Sequence, residues 1–375
     1  MRRSLRRRLL ALVVLTPVLA VGVEAVIWLV AARQLEAGFQ SWIAARRSDG
    51  WQIASGRERL GGWPFSATVT ATGFAISGGQ NLIPDGLAWR TRQLALRVDL
   101  LAPDKLLIRS AGTEHFRIAG SPEIALAARQ VEAVVVPVGA SPGGPDQIDI
   151  SADGVRLGAS SLDPDLIRAD SLAISANFEQ PAGEASEVST DAGTDASSET
   201  SGMARSEVSL HLQATKVTVA HAKLPALGPD IALVSLSATM SGPLPSGPAW
   251  TVGLGAWRDG GGMLIVRDFS AVWGPLAVGA AGRLALDRAM QPAGEGTARV
   301  VGYAATLDAM VADGSIGHGA ATAAKAVLML LARPSNTAGA PPEVDVPLRL
   351  EDRTLSVGII PLLKLPVVSW PSAPR

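Results

Sequence analysis

From Trp51 onward, apolar and polar residues alternate in short runs divided by Gly, Pro, Asn and Asp. That is the pattern of antiparallel strands that each carry one apolar face. RLGGWPFSATVTATGFAI, residues 59–76, shows it most clearly: Phe65, Ala67, Val69, Ala71 and Ala75 fall on one side, and Ser66, Thr68, Thr70 and Thr72 on the other. The small alanines allow close approach of a second layer or of a chain-like ligand. Further runs are LALRVDLL (94–101), KLLIRS (105–110), QVEAVVVPV (130–138), DSLAISANF (170–178), EVSLHLQATKVTVAHAKL (207–224) and IALVSLSATM (231–240). MLIVRDFSAVWG, LAVGAAGRLALD and VPLRLEDRTLSVG continue the series. The pattern predicts a mainly β body of about fifteen antiparallel strands, either curled into a trough or closed as a sandwich.

Two segments break the alternation. Residues 179–207 are Ser, Thr, Gly, Ala and acid with almost no bulky apolar side chain, too little to offset the entropy of ordering, and they predict a disordered acidic linker. YAATLDAMVADG and GHGAATAAKAVLMLLAR, within residues 303–333, are Ala-rich with apolar spacing of three and four, predicting two helices around 304–333 split at a Gly.

The amino end has a third pattern. After Arg2, Arg3, Arg6, Arg7 and Arg8 comes LLALVVLTPVLAVGVEAVIWLVAA, residues 9–32, with one charge at Glu24. As a helix it would reach about 36 Å, against roughly 30 Å of bilayer hydrocarbon. The basic flank places the amino terminus in the cytoplasm and exports everything after Arg33 as the body of a single-pass protein. A cleaved signal peptide is the other reading, with Val18-Leu19-Ala20 or Val23-Glu24-Ala25 at the cleavage site. The apolar run exceeds a signal core and continues to Trp28, which favours the uncleaved anchor. In residues 33–47, Leu35, Phe39, Trp42 and Ile43 lie at helical spacing, a stalk that rests on the bilayer surface or packs on the first strands. The expected organisation is residues 1–32 flank and anchor, 33–178 stalk and first β-rich half, 179–207 linker, and 208–375 second β-rich half.

Composition narrows the chemistry. Hydrophobic residues make up 47% of the 375 and charged residues 18%, fewer charges than in an average soluble domain. The absence of cysteine excludes disulfides, thiol catalysis and Cys-ligated metals. Net charge is −1 overall, and the body beyond the arginine flank is mildly acidic, which argues against a nucleic-acid partner. His115, His211, His221 and His318 share no close metal-ligand spacing. Asp163 and Asp165 sit in an Asp-Pro-Asp turn, where solvated acids are turn formers. Walker-type and dinucleotide patterns fail at residues 319–326, 253–258 and 317–322 for want of the required glycines. No catalytic residue, metal ligand or cofactor is expected, and ligand-binding residues stay unassigned.

Gly61-Gly62-Trp63-Pro64-Phe65 after the Trp51 strand, then Trp273-Gly274-Pro275-Leu276-Ala277-Val278-Gly279 leading to Gly282-Arg283-Leu284-Ala285-Leu286-Asp287, form two of three ordered motifs. Val346-Pro347-Leu348-Arg349-Leu350 with Leu355-Ser356-Val357-Gly358 and Pro361-Leu362 is the third. In this order and spacing the chain resembles the DUF2125 family of alphaproteobacterial envelope proteins over residues 28–366. That resemblance implies an envelope protein, with the single anchor in a bacterial inner membrane and the body in the periplasm, and carries no residue roles. A looser likeness, at the level of fold, is to AsmA-like proteins, with one amino-terminal anchor and a long β body associated with lipid transport. Two functions are therefore expected: a membrane-anchored protein that binds or transports lipid or another hydrophobic ligand, with Trp63 and Phe65 at a strand entrance, or a non-enzymatic envelope scaffold that docks other proteins.

Overall fold

The computed structural model describes residues 2–79, 86–118, 122–137, 145–159, 163–179, 206–220, 225–242, 250–333, 341–358 and 360–368, without the side chains of 2–18, 20, 137, 145, 163–165, 179, 206, 225, 250–253 and 362. The chain divides into two compact units, one formed by residues 1–79, 85–153 and 158–164, the other by 80–84, 154–157 and 165–375. Both are built of antiparallel strands, so the protein is mainly β with few helices.

The first unit opens with α1 (Arg2–Ser48) and continues through β1 (Gln52–Ala54), β2 (Glu58–Gly61), β3 (Ser66–Gly78), β4 (Leu87–Asp99), β5 (Ala102–Ala111), β6 (Thr113–Ile118), β7 (Ile124–Ala127), β8 (Gln130–Pro137) and β9 (Pro145–Ala159). On β3 the alternation holds for Ala67, Val69 and Ala71, all fully buried, and then changes side. Gly73, at φ +61°, and Arg92 opposite it drop out of the ladder, so Phe74 and Thr91 take the inward positions. A left-handed residue of this kind is cheap only as glycine. Ala75, expected on the apolar side, is thereby displaced by Phe74, which is 1% exposed. Phe65, expected there too, lies instead in the turn before β3 and is exposed.

The buried face of β3 rests on α1. Phe39 and Ile43 join Ile53, Val69, Ala71, Phe74, Leu94 and Leu96 in one core, with Leu35 beside it, so the predicted stalk stripe packs on the first strands except for Trp42, which is exposed. Phe74 continues into a ladder of rings through Trp89 and Phe116. Glu114, 2% exposed, is held there by the Trp89 indole (2.5 Å) and the Thr91 hydroxyl (3.0 Å). Higher on α1, Ala32 is fully buried and the Trp28 indole donates to the Gly61 carbonyl at 3.3 Å. Among the described residues no helix is long and apolar enough to cross a membrane. Nearly half of the predicted anchor, residues 9–18 and 20, has side chains outside those described.

The second unit is a meander: β10 (Asp163–Glu179), β11 (Ser206–Val219), a 3₁₀ turn (Pro225–Leu227), β12 (Asp230–Gly242), α2 (Trp250–Asp259), β13 (Met263–Trp273), β14 (Leu276–Leu286), β15 (Pro292–Val301), α3 (Tyr303–Ala312), α4 (His318–Leu331), β16 (Glu343–Glu351), β17 (Thr354–Val357) and β18 (Ile360–Lys364). From β10 to β18 each strand pairs with the next in chain order. The predicted acidic linker lies, from 180 to 205, outside the described residues. Its two ends are paired, Phe178 with Val208 and Glu179 with Glu207, so it joins neighbouring strands of one unit. α3 and α4 fall where the Ala-rich runs predict them. α2 has no counterpart in the sequence reading, because WTVGLGAWRD contains two glycines and β-branched residues, poor helix formers that packing overrides. Its Trp257 is buried and donates to the Ser241 carbonyl at 3.0 Å.

Candidate functional site

Residues paired directly across an antiparallel sheet point to the same face, so the registers of the second unit define its two surfaces. One rung reads Leu172, Ala214, Val234, Ala271, Val278, Val300, Val344 from β10 to β16. The next is Ile174, Leu212, Leu236, Phe269, Ala280, Ala298, Val346. Two more cross eight strands to β17: Ala176, Leu210, Ala238, Val266, Gly282, Gly296, Leu348, Val357, and Phe178, Val208, Met240, Leu264, Leu284, Gly294, Leu350, Leu355. All four rungs consist of apolar side chains and glycine. Only Ala214, Ala238, Ala298, Val344 and Leu350 among them are buried; the others are half-buried.

The opposite surface is more polar, although Leu233, Ile265, Val272, Ala277 and Val301 also lie on it. Ser175, His211, Ser237 and Asp268 form one of its rungs, and Asn177, Ser209 and Thr239 begin another. There His211 Nδ1 lies 3.0 Å from the Ser237 hydroxyl, and Arg267 Nε donates to Thr239 at 2.9 Å. Arg299 bridges Asp345 (3.0 Å) and Glu343 (3.5 Å), whose carboxylates hold its guanidinium above its ordinary pKa. A bulge in β13 keeps the two surfaces distinct. Arg267 is the extra residue between Val266 and Asp268, so both Arg267 and Asp268 turn outward while Val266 and Phe269 stay on the apolar face. Strict alternation would have put Asp268 among the aliphatics.

The apolar face dips into a groove of about 220 Å³ over β13–β17, walled by Leu284, Leu348, Leu350, Leu355 and Leu365. Its floor is glycine: Gly282 faces Gly296, and Gly294 faces Leu284. A Cβ on Gly294 would stand 2.0 Å from the Arg283 carbonyl oxygen, and one on Gly282 would stand 2.6 Å from that of Glu295. No side chain fits, and the missing methyls leave the depression. Leu365 reaches this wall because the carboxyl-terminal segment is tied down. Its amide donates to the Arg353 carbonyl at 2.7 Å, and Gln291 clasps Val368 from both sides, Nε2 to the carbonyl (3.0 Å) and Oε1 from the amide (2.9 Å).

The residues singled out for chemistry lie elsewhere and apart. His115 pairs with Glu123 at 2.8 Å in the first unit, His211 is on the polar surface, and His318 opens α4 exposed to solvent. His221 lies outside the described residues, as do the side chains of Asp163 and Asp165. Among the described residues no three His, Asp or Glu side chains converge as metal ligands. The groove escaped the sequence reading because its walls come from runs up to a hundred residues apart. Its one local signal is GRLALDRAMQPAGEG, where glycine replaces apolar residues at inward positions.

No curated protein matches the chain, and no solved structure does, so the looser likeness to AsmA-like proteins finds no support there. The family model described as an uncharacterized protein conserved in bacteria, DUF2125, matches residues 28–366, and the chain belongs to that family.

Proposed function

We propose that this DUF2125 protein is a membrane-anchored holder of lipid acyl chains, with its body exported and its ligand laid along the apolar face of β10–β17. The supporting observation is that face: four rungs without one ionisable side chain, most of them half-buried. Half-wet aliphatics gain on the order of 25 cal/mol for each Å² covered, and the face offers an occupant no hydrogen-bonding side chain, which suits a hydrocarbon chain. Seven strand spacings of about 4.8 Å make a track of roughly 34 Å, comparable with the ~30 Å of hydrocarbon in a bilayer. The anchor reading rests on the basic flank and the apolar run 9–32. In this reading the protein holds or passes on its ligand and does not transform it.

Photocrosslinking in intact membranes tests the proposal. Phe269 replaced by benzoylphenylalanine puts the probe on the apolar face, and the same replacement at Ser270 puts it on the polar one. Phospholipid adducts at position 269 and not at 270 are expected. Equal yields at both positions, or protein adducts alone at 269, would overturn the lipid reading, and the latter would establish the scaffold.

A further inference from the structure

α1 leaves the first unit beside an exposed apolar cluster. The Trp28–Gly61 hydrogen bond places the helix against the end of β2, and β2 runs directly into the turn Trp63, Pro64, Phe65. That turn is firmly closed: the Ser66 amide and hydroxyl both reach the Gly62 carbonyl at 3.0 Å. Trp63 is nevertheless 51% exposed and Phe65 65%. The β4–β5 turn lies alongside, because Ser66 pairs with Asp99 and the Leu100 amide donates to the Phe65 carbonyl at 3.0 Å; its Leu101 is 90% exposed. Within two residues of Trp28, Ile27 and Val30 are exposed on α1. Apolar tips held rigidly in water are costly unless something covers them.

We infer that the Trp63–Phe65 turn and Leu101 form a second membrane contact, dipping into the interface of the same leaflet that α1 enters. This rests on the anchor reading. Its occupant is chosen by continuity: the turn follows the strand end that Trp28 holds, at the end of the sheet from which the apolar part of the helix emerges. The residue types agree, since Trp seeks the bilayer interface and Phe and Leu its acyl boundary. The first unit would then ride on the membrane at a fixed tilt.

The chain has no cysteine, so single labels can be introduced cleanly. The full chain carrying Phe65→Cys, Leu101→Cys, Leu19→Cys or, at the far end of the sheet, Ala54→Cys is labelled with an environment-sensitive fluorophore. It is reconstituted in phosphatidylethanolamine and phosphatidylglycerol vesicles containing shallow spin-labelled lipid, or, to read position 19 near the middle of the span, lipid spin-labelled at the end of its acyl chain. Labels at 65 and 101 should lose about half their emission or more, as for groups about 5–10 Å deep, while the label at 54 should stay unquenched. Labels at 65 and 101 no more quenched than at 54 overturn the inference. Quenching at 19 in that case leaves the anchor standing, and none at 19 removes the anchor as well. Quenching at 65 and 101 without quenching at 19 keeps the contact and removes the anchor.

Discussion

Leu348 and Phe74 offer a quantitative comparison of an open apolar face with a closed core. Phe74 is 1% exposed beneath α1, and Phe74→Ala should cost about 3–5 kcal/mol, the sum of lost transfer energy and an unfilled cavity. Leu348 is half-buried on the wall of the groove. Leu→Ala removes roughly three methylene equivalents, each worth about 0.8 kcal/mol when fully buried. With about half of that area already wet and no sealed cavity left behind, Leu348→Ala should cost about 1 kcal/mol. Native-state hydrogen exchange reads the two units separately: amides of β3 and β4 report on Phe74→Ala, those of β14 to β16 on Leu348→Ala. The lipid-free protein should show the wide gap between the two variants. If Leu348→Ala costs as much as Phe74→Ala, the face is sealed by protein and the reasoning about an open track fails.

Gln291→Ala removes both hydrogen bonds that clasp Val368; at about 1 kcal/mol each, exchange at the Val368 amide should accelerate tenfold or more while β14 and β15 are unaffected, and an unchanged rate would show that the tail is held otherwise. Gly62→Ala places a Cβ 2.5 Å from the Ser66 carbonyl oxygen at φ +93°, so a thermal melt should show a loss of several degrees, and an unchanged midpoint would contradict the geometry of the turn. Crosslinking of lipid at position 269 should be insensitive to pH between about 5 and 8, because no titratable side chain lies on the rungs; a titration in that range would implicate a group outside them. Acid should act on the turn between α3 and α4 instead. The Ser315 hydroxyl and amide hold the Asp313 carboxyl below its ordinary pKa. The contribution is therefore complete above the ordinary carboxylate range and lost as pH falls through the lowered value, which exchange at Ser315 should follow.

Alternation and helical spacing are properties of consecutive residues, and here they carried most of the fold. The strands at 94–99, 130–137, 231–240 and 263–273, the two Ala-rich helices and the stripe of Phe39 and Ile43 were legible from neighbours in the chain, while Leu100 and Leu101, which continue the first run, form a turn instead. What an apolar face meets is not a local property. That Val69 and Ala71 rest on α1, that Gly73 turns Phe74 inward in place of Ala75, and that Phe65 stays in solvent depend on contacts across tens of residues. The candidate site is more remote still. Its rungs require eight strands in one register, its floor requires Gly282 and Gly296 to face each other, and its edge requires Gln291 to hold Val368, 77 residues away. By itself the sequence determined which residues are apolar on each strand, because a side-chain period of two is set by backbone geometry. Only the tertiary structure decided which apolar residues were sealed and which left half open, because pairing register and long-range packing are settled together, once the whole sheet has formed.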